Sequence, residues 1–129
     1  MNIPGDLKYS KTDEWVKVDG KVATIGITDY AQSQLSDIVY FEFKVDAGET
    51  VKKGGTAATV ESVKAAADVN FPVSGKVVEL NESVVDTFEG INSKPYDTWF
   101  LKVEMSDLGD LSTLMDATEY EKYCAERGH

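Results

Sequence analysis

Residues 59–70 read Thr59-Val60-Glu61-Ser62-Val63-Lys64-Ala65-Ala66-Ala67-Asp68-Val69-Asn70, with one lysine between a β-branched segment and a segment of small residues. Pro72 follows shortly afterwards and indicates an edge or a bend over residues 71–74, because proline cannot donate to a sheet ladder. The pattern predicts strands over about 56–61 and 66–70. Lys64 is then at the tip of a hairpin, exposed and held by a strand on either side.

Short strands separated by turns account for most of the chain outside this hairpin. Asp19-Gly20 lies between two β-rich runs and predicts a hairpin with a type I′ turn, with strands at about 14–18 and 21–27. The polar residues 81–95 are predicted to be irregular. Further strands are predicted over 38–43, 75–80 and 99–104.

Helix signals follow the first hairpin and recur near the end of the chain. Thr28 is a suitable N-cap for a short helix with apolar residues at helical spacing, namely Ala31, Leu35 and Ile38. Asp116-x-x-Glu119 resembles a capping box and begins a C-terminal helix. Its other signals are an apolar stripe of Tyr120, Tyr123 and Cys124, a stop at Gly128, and one or two preceding helical turns at Leu108, Leu111, Leu114 and Met115.

Length and charge limit the classes of protein and partner. A chain of 129 residues suits one domain, so we expect residues 1–129 to form a single unit. The formal net charge is −10, which disfavours binding to nucleic acid and to anionic lipid and suits docking onto basic patches of proteins. No apolar run approaches the roughly 20 residues of a membrane span. The N-terminus has neither a secretory nor a mitochondrial signal pattern, so we expect a cytoplasmic protein. We also expect the protein to be a monomer.

The scarcity of catalytic residue types argues against a self-contained enzyme. The chain has one cysteine, Cys124, and one histidine, His129, which excludes an internal disulfide and argues strongly against the usual His-based triads and His/Cys zinc sites. A hydrolase that uses Cys124 is the weakest alternative, because this cysteine falls on an apparent packing stripe. If the protein takes part in chemistry, we expect an attached group to supply the reactive atoms.

Lys64 is the candidate attachment point. Acylation of a lysine converts a charged amine on a long stem into a neutral amide, and the small residues that follow Lys64 leave room for a modifying enzyme. Composition alone favours an ordinary surface lysine, because most lysines are exposed. Spacing and periodicity alone do not distinguish an attachment site from an ordinary surface lysine.

The segment Glu61-Ser62-Val63-Lys64-Ala65-Ala66 resembles the lipoylation segment of the glycine cleavage system H-protein family. Other segments resemble the family in the expected order over nearly the whole chain. They are Lys8-Tyr9-Ser10-Lys11-Thr12-Asp13-Glu14-Trp15-Val16, Ala23-Thr24-Ile25-Gly26-Ile27-Thr28-Asp29-Tyr30-Ala31-Gln32, Val69-Asn70-Phe71-Pro72-Val73-Ser74-Gly75, Val78-Glu79-Leu80-Asn81, Ile91-Asn92-Ser93, Pro95-Tyr96 and Trp99.

The resemblance implies a mainly β fold, a flattened sandwich of antiparallel sheets of the biotinyl/lipoyl-carrier barrel-sandwich type, with a short helix after the first hairpin and a C-terminal helix. It implies a non-enzymatic carrier of the glycine cleavage system, with lipoyl amide-linked to Lys64. In this role the lipoyl group takes the aminomethyl group of glycine from glycine decarboxylase (P protein) to aminomethyltransferase (T protein). Dihydrolipoamide dehydrogenase (L protein) then reoxidises it, and a lipoate-attaching enzyme installs it.

The resemblance also assigns candidate residues around the lysine. Glu61 and Gly75 stand three before and eleven after the lysine, as in lipoyl domains generally, and are candidates for recognition by the attaching enzyme. A loaded arm would shelter in a cleft, and Glu14 is the preferred partner of its amine because an opposite charge favours the ammonium form. The matching cleft positions are Thr12, Glu14, Gln34 and Asp68.

Several positions depart from the family pattern. Asp13 stands where histidine is common, Gln34 is not histidine, and Phe71 replaces a usual serine. Lys94 often reads aspartate or serine, and Asp97-Thr98 lacks the usual glycine. These departures leave two other functions open: a divergent lipoyl relay for other lipoyl enzymes, and an unmodified interaction module. A biotin carrier is disfavoured, because Val63 and Ala65 flank the lysine where biotin sites usually have methionines.

Overall fold

The computed structural model describes residues 1–127. The predicted helix stop at Gly128 falls outside these residues, as does His129. The strands are β1 (Lys8–Tyr9), β2 (Glu14–Asp19), β3 (Val22–Ile27), β4 (Ile38–Phe43), β5 (Thr50–Val51), β6 (Thr56–Ser62), β7 (Ala66–Asn70), β8 (Gly75–Leu80) and β9 (Leu101–Met105). The α-helices are α1 (Asp29–Leu35), α2 (Gly90–Ser93) and α3 (Ala117–Arg127), and 3₁₀ helices span Glu82–Val85 and Leu108–Thr113.

Over residues 1–127 the strands form two sheets in which every neighbouring pair is antiparallel. The larger sheet has the order β1-β2-β3-β9-β8-β5, and the smaller has the order β4-β6-β7. Buried residues of both sheets belong to one hydrophobic cluster, including Ile25 and Val103 from the larger sheet and Phe41 and Val60 from the smaller. The sheets therefore pack face to face, which confirms the predicted mainly β sandwich with helices.

The first hairpin is confirmed, but its turn type is not the one predicted. Asp19 pairs with Val22, so the two central turn residues are Gly20 and Lys21 rather than Asp19 and Gly20. Of these two, only Gly20 has a positive φ, at 61°. A glycine with positive φ at the first central position fits a type II′ turn, because type I′ requires positive φ at both central residues.

The segment 81–95 is more regular than predicted. Its 3₁₀ helix buries Val84 and α2 buries Ile91, and Phe88 between them is partly buried against the same core. These three residues stand at spacings of four and three, a helical signal that the prediction of an irregular segment did not use. The last strand begins at Leu101 rather than at residue 99, although Phe100 N–H still donates to the Ile25 carbonyl at 2.8 Å.

Both predicted caps are present. Thr28 accepts from Ala31 N–H at 3.1 Å and begins α1. Asp116 Oδ1 accepts from Glu119 N–H at 2.8 Å and Glu119 Oε1 accepts from Asp116 N–H at 3.2 Å, which makes the capping box of α3. The predicted stripe in α1 ends at Leu35, and Ile38 is the first residue of β4.

Helix α3 covers a second, smaller hydrophobic cluster. Tyr120 and Cys124 of α3 are buried there against Leu7, Tyr9 and Trp15. The rings of Tyr9 and Tyr120 stack with centroids 4.6 Å apart. The C-terminal helix is thereby packed against the N-terminal strands that lead into β2. None of the helices within residues 1–127 has the length and apolar character needed to cross a membrane.

Candidate functional site

Lys64 lies in the short turn between β6 and β7, as the sequence predicts, and its side chain is exposed. Ser62 N–H donates to the carbonyl of Ala65 at 2.7 Å and closes the turn. The Ser62 hydroxyl donates to the same carbonyl at 3.0 Å and accepts from the N–H groups of Ala65 at 3.0 Å and Lys64 at 3.3 Å. A single serine therefore holds the backbone on both sides of the lysine.

The turn is also hydrogen-bonded to the residue that precedes β4, the neighbour of β6 in the smaller sheet. Val63 N–H donates to the carbonyl of Asp37 at 3.0 Å, just before β4 begins. Val63, Ala65 and Ala66 are exposed, so small or unhindered side chains surround the lysine. Among residues 1–127, no carboxylate forms an ion pair with Lys64. The amine is open to a modifying enzyme while the backbone beneath it is fixed.

The two residues predicted for recognition by the attaching enzyme lie on different sheets. Glu61 is exposed in β6 and pairs with Ala66 across the lysine hairpin. Gly75 is buried at the start of β8, opposite Met105. A Cβ at Gly75 would stand 2.0 Å from the carbonyl oxygen of Glu104, so close backbone contact requires glycine there. The structure thus gives Gly75 a packing role independent of recognition.

The four predicted cleft residues lie around one cleft of about 160 Å³. Thr12 and Glu14 come from the N-terminal segment, Gln34 from α1 and Asp68 from β7. The remaining walls are mostly apolar, formed by Ile27, Ala31, Leu35, Val60, Ala67 and Val69, with Asp13 beside Glu14. Strand β7 starts directly after the lysine turn, so the strand that leads away from Lys64 forms one wall of the cleft.

Glu14 is the buried polar group of this cleft, with only 1% of its surface exposed. Its Oε1 accepts from the hydroxyls of Ser10 at 2.7 Å and Thr12 at 2.5 Å. Its Oε2 accepts from Asn70 N–H at 3.2 Å. All three donors are neutral, so within residues 1–127 the carboxylate is hydrogen-bonded without a cationic donor.

Burial raises the pKa of Glu14 from 4.5 to about 7. The hydrogen bonds from Ser10, Thr12 and Asn70 act in the opposite direction, and the negative charge of Asp13 adds to the rise. A carboxyl with this pKa changes charge readily near neutrality. A cation that entered the cleft would favour its ionised form, because opposite charges attract strongly where water is excluded.

The other three predicted cleft residues lie at the rim. Thr12, Gln34 and Asp68 are exposed, and Asp68 accepts from the Thr59 hydroxyl at 3.4 Å. The cleft is therefore polar at its mouth, apolar along its walls and acidic at one buried point. Such an arrangement suits an apolar chain that ends in a cationic group.

Sequence reasoning missed Ser62 and Ser10, which fix the two parts of the site. Ser62 stands two residues before the lysine in a predicted turn, and a serine that bonds nearby turn backbone is a recognisable local signal. Ser10 gives no comparable signal. It meets Glu14 only because residues 10–14 form a tight loop, in which Asp13 N–H donates to the Ser10 carbonyl at 3.2 Å.

Comparison with known proteins places this geometry in a family. Residues 7–127 match the family described as Glycine cleavage H-protein. The chain is 52% identical over 122 residues to glycine cleavage system H protein 2, mitochondrial, of Arabidopsis thaliana, covering 94% of this chain and 78% of that one. It is 47% identical over 127 residues to the glycine cleavage system H protein of Paraburkholderia phymatum, covering 98% of this chain and 100% of that one.

The fold agrees with a solved structure. The crystal structure of a glycine cleavage system H protein from Mycobacterium marinum superposes with a TM-score of 0.84 at 32% identity, covering 98% of this chain and 100% of that one. Sequence and fold thus point to the same group of proteins over almost the whole chain. The chain belongs to the glycine cleavage H-protein family, whose members are lipoyl carriers of the glycine cleavage system and not catalysts.

Proposed function

We propose that Lys64 carries a lipoyl group in amide linkage and that the cleft shelters the end of this arm during glycine cleavage. The observation that carries the proposal is an exposed lysine on a hydrogen-bonded turn, from which one strand leads directly into a cleft with a buried carboxylate. The proposal treats residues 1–129 as one lipoyl-carrier domain, monomeric and cytoplasmic. Size-exclusion chromatography with light scattering tests whether the protein is a monomer, and cell fractionation tests whether it is cytoplasmic.

The lysine turn fits the attachment of an acyl group. The amine is exposed and lacks an ion-pair partner within residues 1–127, and the backbone on both sides of it is hydrogen-bonded to Ser62. Exposed Glu61 beside the hairpin is the proposed contact for the lipoate-attaching enzyme. Gly75 supports that contact indirectly, because it allows β8 to approach β9 closely.

The cleft fits the far end of such an arm. Ala67, the nearest cleft residue along β7, is three residues from Lys64, at most about 11 Å of chain. A lysine stem extended by an eight-carbon acyl chain can cover that separation. The apolar walls suit the hydrocarbon, and Glu14 suits a cationic end, with Thr12, Gln34 and Asp68 at the mouth.

When bound, the lipoyl group would supply a cyclic disulfide that can open, so that one sulfur could carry the aminomethyl group of glycine between enzymes and the other would become a thiol. The chain's own contribution is to exclude water and to hold a proton or a cation at Glu14. With a pKa of about 7, the Glu14 carboxyl can be neutral when the cleft is empty and ionised when an ammonium is present. The charge of the Glu14 carboxyl therefore depends on whether the cleft holds an ammonium group.

The proposed partners follow from the family. They are glycine decarboxylase, aminomethyltransferase, dihydrolipoamide dehydrogenase and a lipoate-attaching enzyme, with no role for nucleic acid or a membrane surface. The net charge of −10 supports association with basic protein surfaces and predicts that docking weakens with added salt.

The first experiment is intact-mass analysis after coexpression with a lipoate ligase. We expect a gain of one lipoyl group, located at Lys64 by peptide mapping, and no gain in Lys64→Ala. Lys76→Ala, which removes an exposed lysine from β8, is the matched control and should be acylated normally. Absence of any gain in the folded protein, with a ligase active on a known acceptor, would contradict the proposal and favour an unmodified interaction module.

A variant of Glu14 distinguishes a lipoyl relay to other enzymes from a carrier in glycine cleavage. Lipoylated Glu14→Gln should still transfer its cofactor if the protein acts as a relay, but it should be loaded poorly by glycine and the decarboxylase. If wild-type lipoylated protein is not loaded at all, the relay becomes the better description.

A further inference from the structure

Asp13 occupies an unusual backbone position between two cleft residues. Its φ is 75°, a left-handed conformation that non-glycine residues seldom adopt. Its carbonyl accepts from Thr28 N–H at 3.0 Å. Thr28 is the N-cap of α1, so the backbone of Asp13 joins the loop that carries Thr12 and Glu14 to the helix that carries Gln34.

The carboxylate of Asp13 is held from the opposite side by α3. Arg127 forms an ion pair with Asp13 Oδ1, and the Tyr120 hydroxyl donates to the same oxygen at 2.8 Å. Since Tyr120 gives its proton to Asp13, the Thr28 hydroxyl, 2.6 Å away, must donate to the Tyr120 oxygen. One chain of hydrogen bonds thus runs from α1 through α3 to Asp13.

Arg127 is itself fixed by aromatic rings. Its guanidinium lies 4.4 Å from the ring centroid of Tyr30 and 4.3 Å from that of Tyr123. Tyr30 belongs to α1, and the Tyr123 hydroxyl donates to the carbonyl of Lys11 in the cleft loop at 3.0 Å. Stacking between two rings holds a guanidinium in place and reduces the entropy lost in forming its ion pair.

We propose that Arg127 is a positioning residue for the cleft, which acts through Asp13 to neutralise the charge beside Glu14 and to hold the loop of Thr12 and Glu14 against α1. This inference depends on the proposed function in one respect, namely that the cleft receives a lipoyl arm. It also accounts for an aspartate next to a buried glutamate, because the cation that balances Asp13 comes from the far end of the chain.

The electrostatic environment of Glu14 is simple enough to test this idea. Its own loop carries Lys11 and Asp13, of which Asp13 raises the pKa of Glu14, and β7 contributes Asp68 at the rim of the cleft. Helix α1 contributes the neutral Gln34, and α3 contributes Arg127, which is ion-paired with Asp13. Loss of Arg127 leaves Asp13 uncompensated and makes ionisation of Glu14 harder, whereas loss of the Asp13 charge makes it easier.

The test is an NMR titration of the Glu14 side-chain carboxyl in unmodified protein labelled with ¹³C. We expect the pKa of Glu14 to rise by about half a unit or more in Arg127→Gln and to fall by a similar amount in Asp13→Asn. In the double variant the two changes should largely cancel, so that the pKa of Glu14 returns close to its wild-type value. Exchange of the Thr28 amide, which Asp13 holds, should also become faster in Arg127→Gln.

Two controls separate this role from general effects. Arg127→Lys keeps the positive charge and should leave the Glu14 pKa within about 0.3 unit of wild type. Lys122→Gln makes the same charge change at an exposed position of the same helix and should also leave it unchanged. The inference is overturned if Arg127→Gln lowers only the melting temperature, or if Lys122→Gln shifts Glu14 equally.

Failure of this inference is distinguishable from failure of the proposed function. The titration uses protein without a lipoyl group, so its result does not depend on whether Lys64 is acylated. If Lys64 is acylated but Arg127→Gln leaves Glu14 unchanged, the carrier function stands and the positioning role falls. If Glu14 shifts as expected but Lys64 is never acylated, the reverse holds.

Discussion

The lysine turn and the cleft are built in opposite ways. The turn is exposed, and its main hydrogen bonds join residues 62–65 to one another. The cleft is partly buried and brings together the N-terminal loop, α1 and β7, with Asp13 held by α3 more than 100 residues later in the chain. The proposed attachment point is therefore a local structure, and the proposed shelter is a product of the whole fold.

This difference separates two properties of a carrier. A modifying enzyme must recognise the lysine by its accessible local shape, which survives changes elsewhere in the fold. Protection of a reactive group requires excluded water and a tuned carboxyl, which depend on distant packing. We therefore expect substitutions in the turn to affect acylation and substitutions in the cleft to affect loading, with little overlap.

The largest effect is expected from Lys64→Arg, which keeps the charge but removes the primary amine. Acylation should be lost completely in the intact-mass assay, because a guanidinium is not a substrate for amide formation. The melting temperature should stay within about 1 °C of wild type, since this exposed side chain lacks an ion pair within residues 1–127. A large fall in stability would show that the turn is not independent of the core.

The second effect is a pH dependence of stability that originates in the cleft. Because the folded state raises the pKa of Glu14 from 4.5 to about 7, it binds this proton more tightly than the unfolded chain does. The contribution of Glu14 is therefore fully favourable below about pH 4.5, and about 3.4 kcal/mol is lost progressively as the pH rises from about 4.5 through about 7.

Urea unfolding of wild type and Glu14→Gln at pH 5 and pH 8 isolates this contribution. Other groups titrate in both proteins, so the prediction concerns the difference between them. The free energy of unfolding of wild type should fall by about 2.5 kcal/mol more than that of the variant. Parallel changes in both proteins would mean that the Glu14 carboxyl is not strongly perturbed.

A third, smaller effect concerns loading of the lipoylated protein. Glu14→Gln removes the charge that we assign to the incoming ammonium, so glycine-dependent loading by the decarboxylase should fall at least about tenfold, whereas acylation by the ligase should remain within about twofold. Glu121→Gln, an exposed acid on α3, is the matched control. Equal losses in both variants would point to overall charge rather than to the cleft.

The smallest effect is expected from Ser62→Ala, which loosens the turn without touching the core. Loss of the hydroxyl contacts to Ala65 and Lys64 should cost about 1 kcal/mol or less, because the turn is exposed. Amide exchange at these two residues should accelerate, and acylation should slow by a few-fold. Ser112→Ala, in an exposed 3₁₀ helix, should change none of these quantities.

The sequence predicted what local chemistry decides. The strands around Lys64, the Thr28 cap and the Asp116–Glu119 capping box all depend on residues within a few positions of one another, and all are present in the structure. The first turn was predicted with the wrong geometry, because Asp-Gly does not specify which residues pair across it. Gly20 and Lys21 became the centre once Asp19 paired with Val22.

The cleft could not be assembled from patterns in the chain. Thr12, Glu14, Gln34 and Asp68 were candidates only through the family resemblance, and their roles remain proposals. Asp13 counted as a departure from that family, and nothing near it in the sequence indicated that Arg127 would balance its charge. Contacts across 114 positions have no periodic signal, since they are set by how α3 packs on the N-terminal strands.

The tie between Val63 and Asp37 gives the lysine a fixed pivot. A lipoyl arm attached there, as we propose, would search a small volume next to the cleft, so its effective concentration at the cleft would be on the order of millimolar or higher. Docking of the arm can then be frequent even when the cleft's intrinsic affinity is weak. Weak affinity in turn allows rapid release to each partner enzyme, so a rigid turn permits a shelter that need not hold its content tightly.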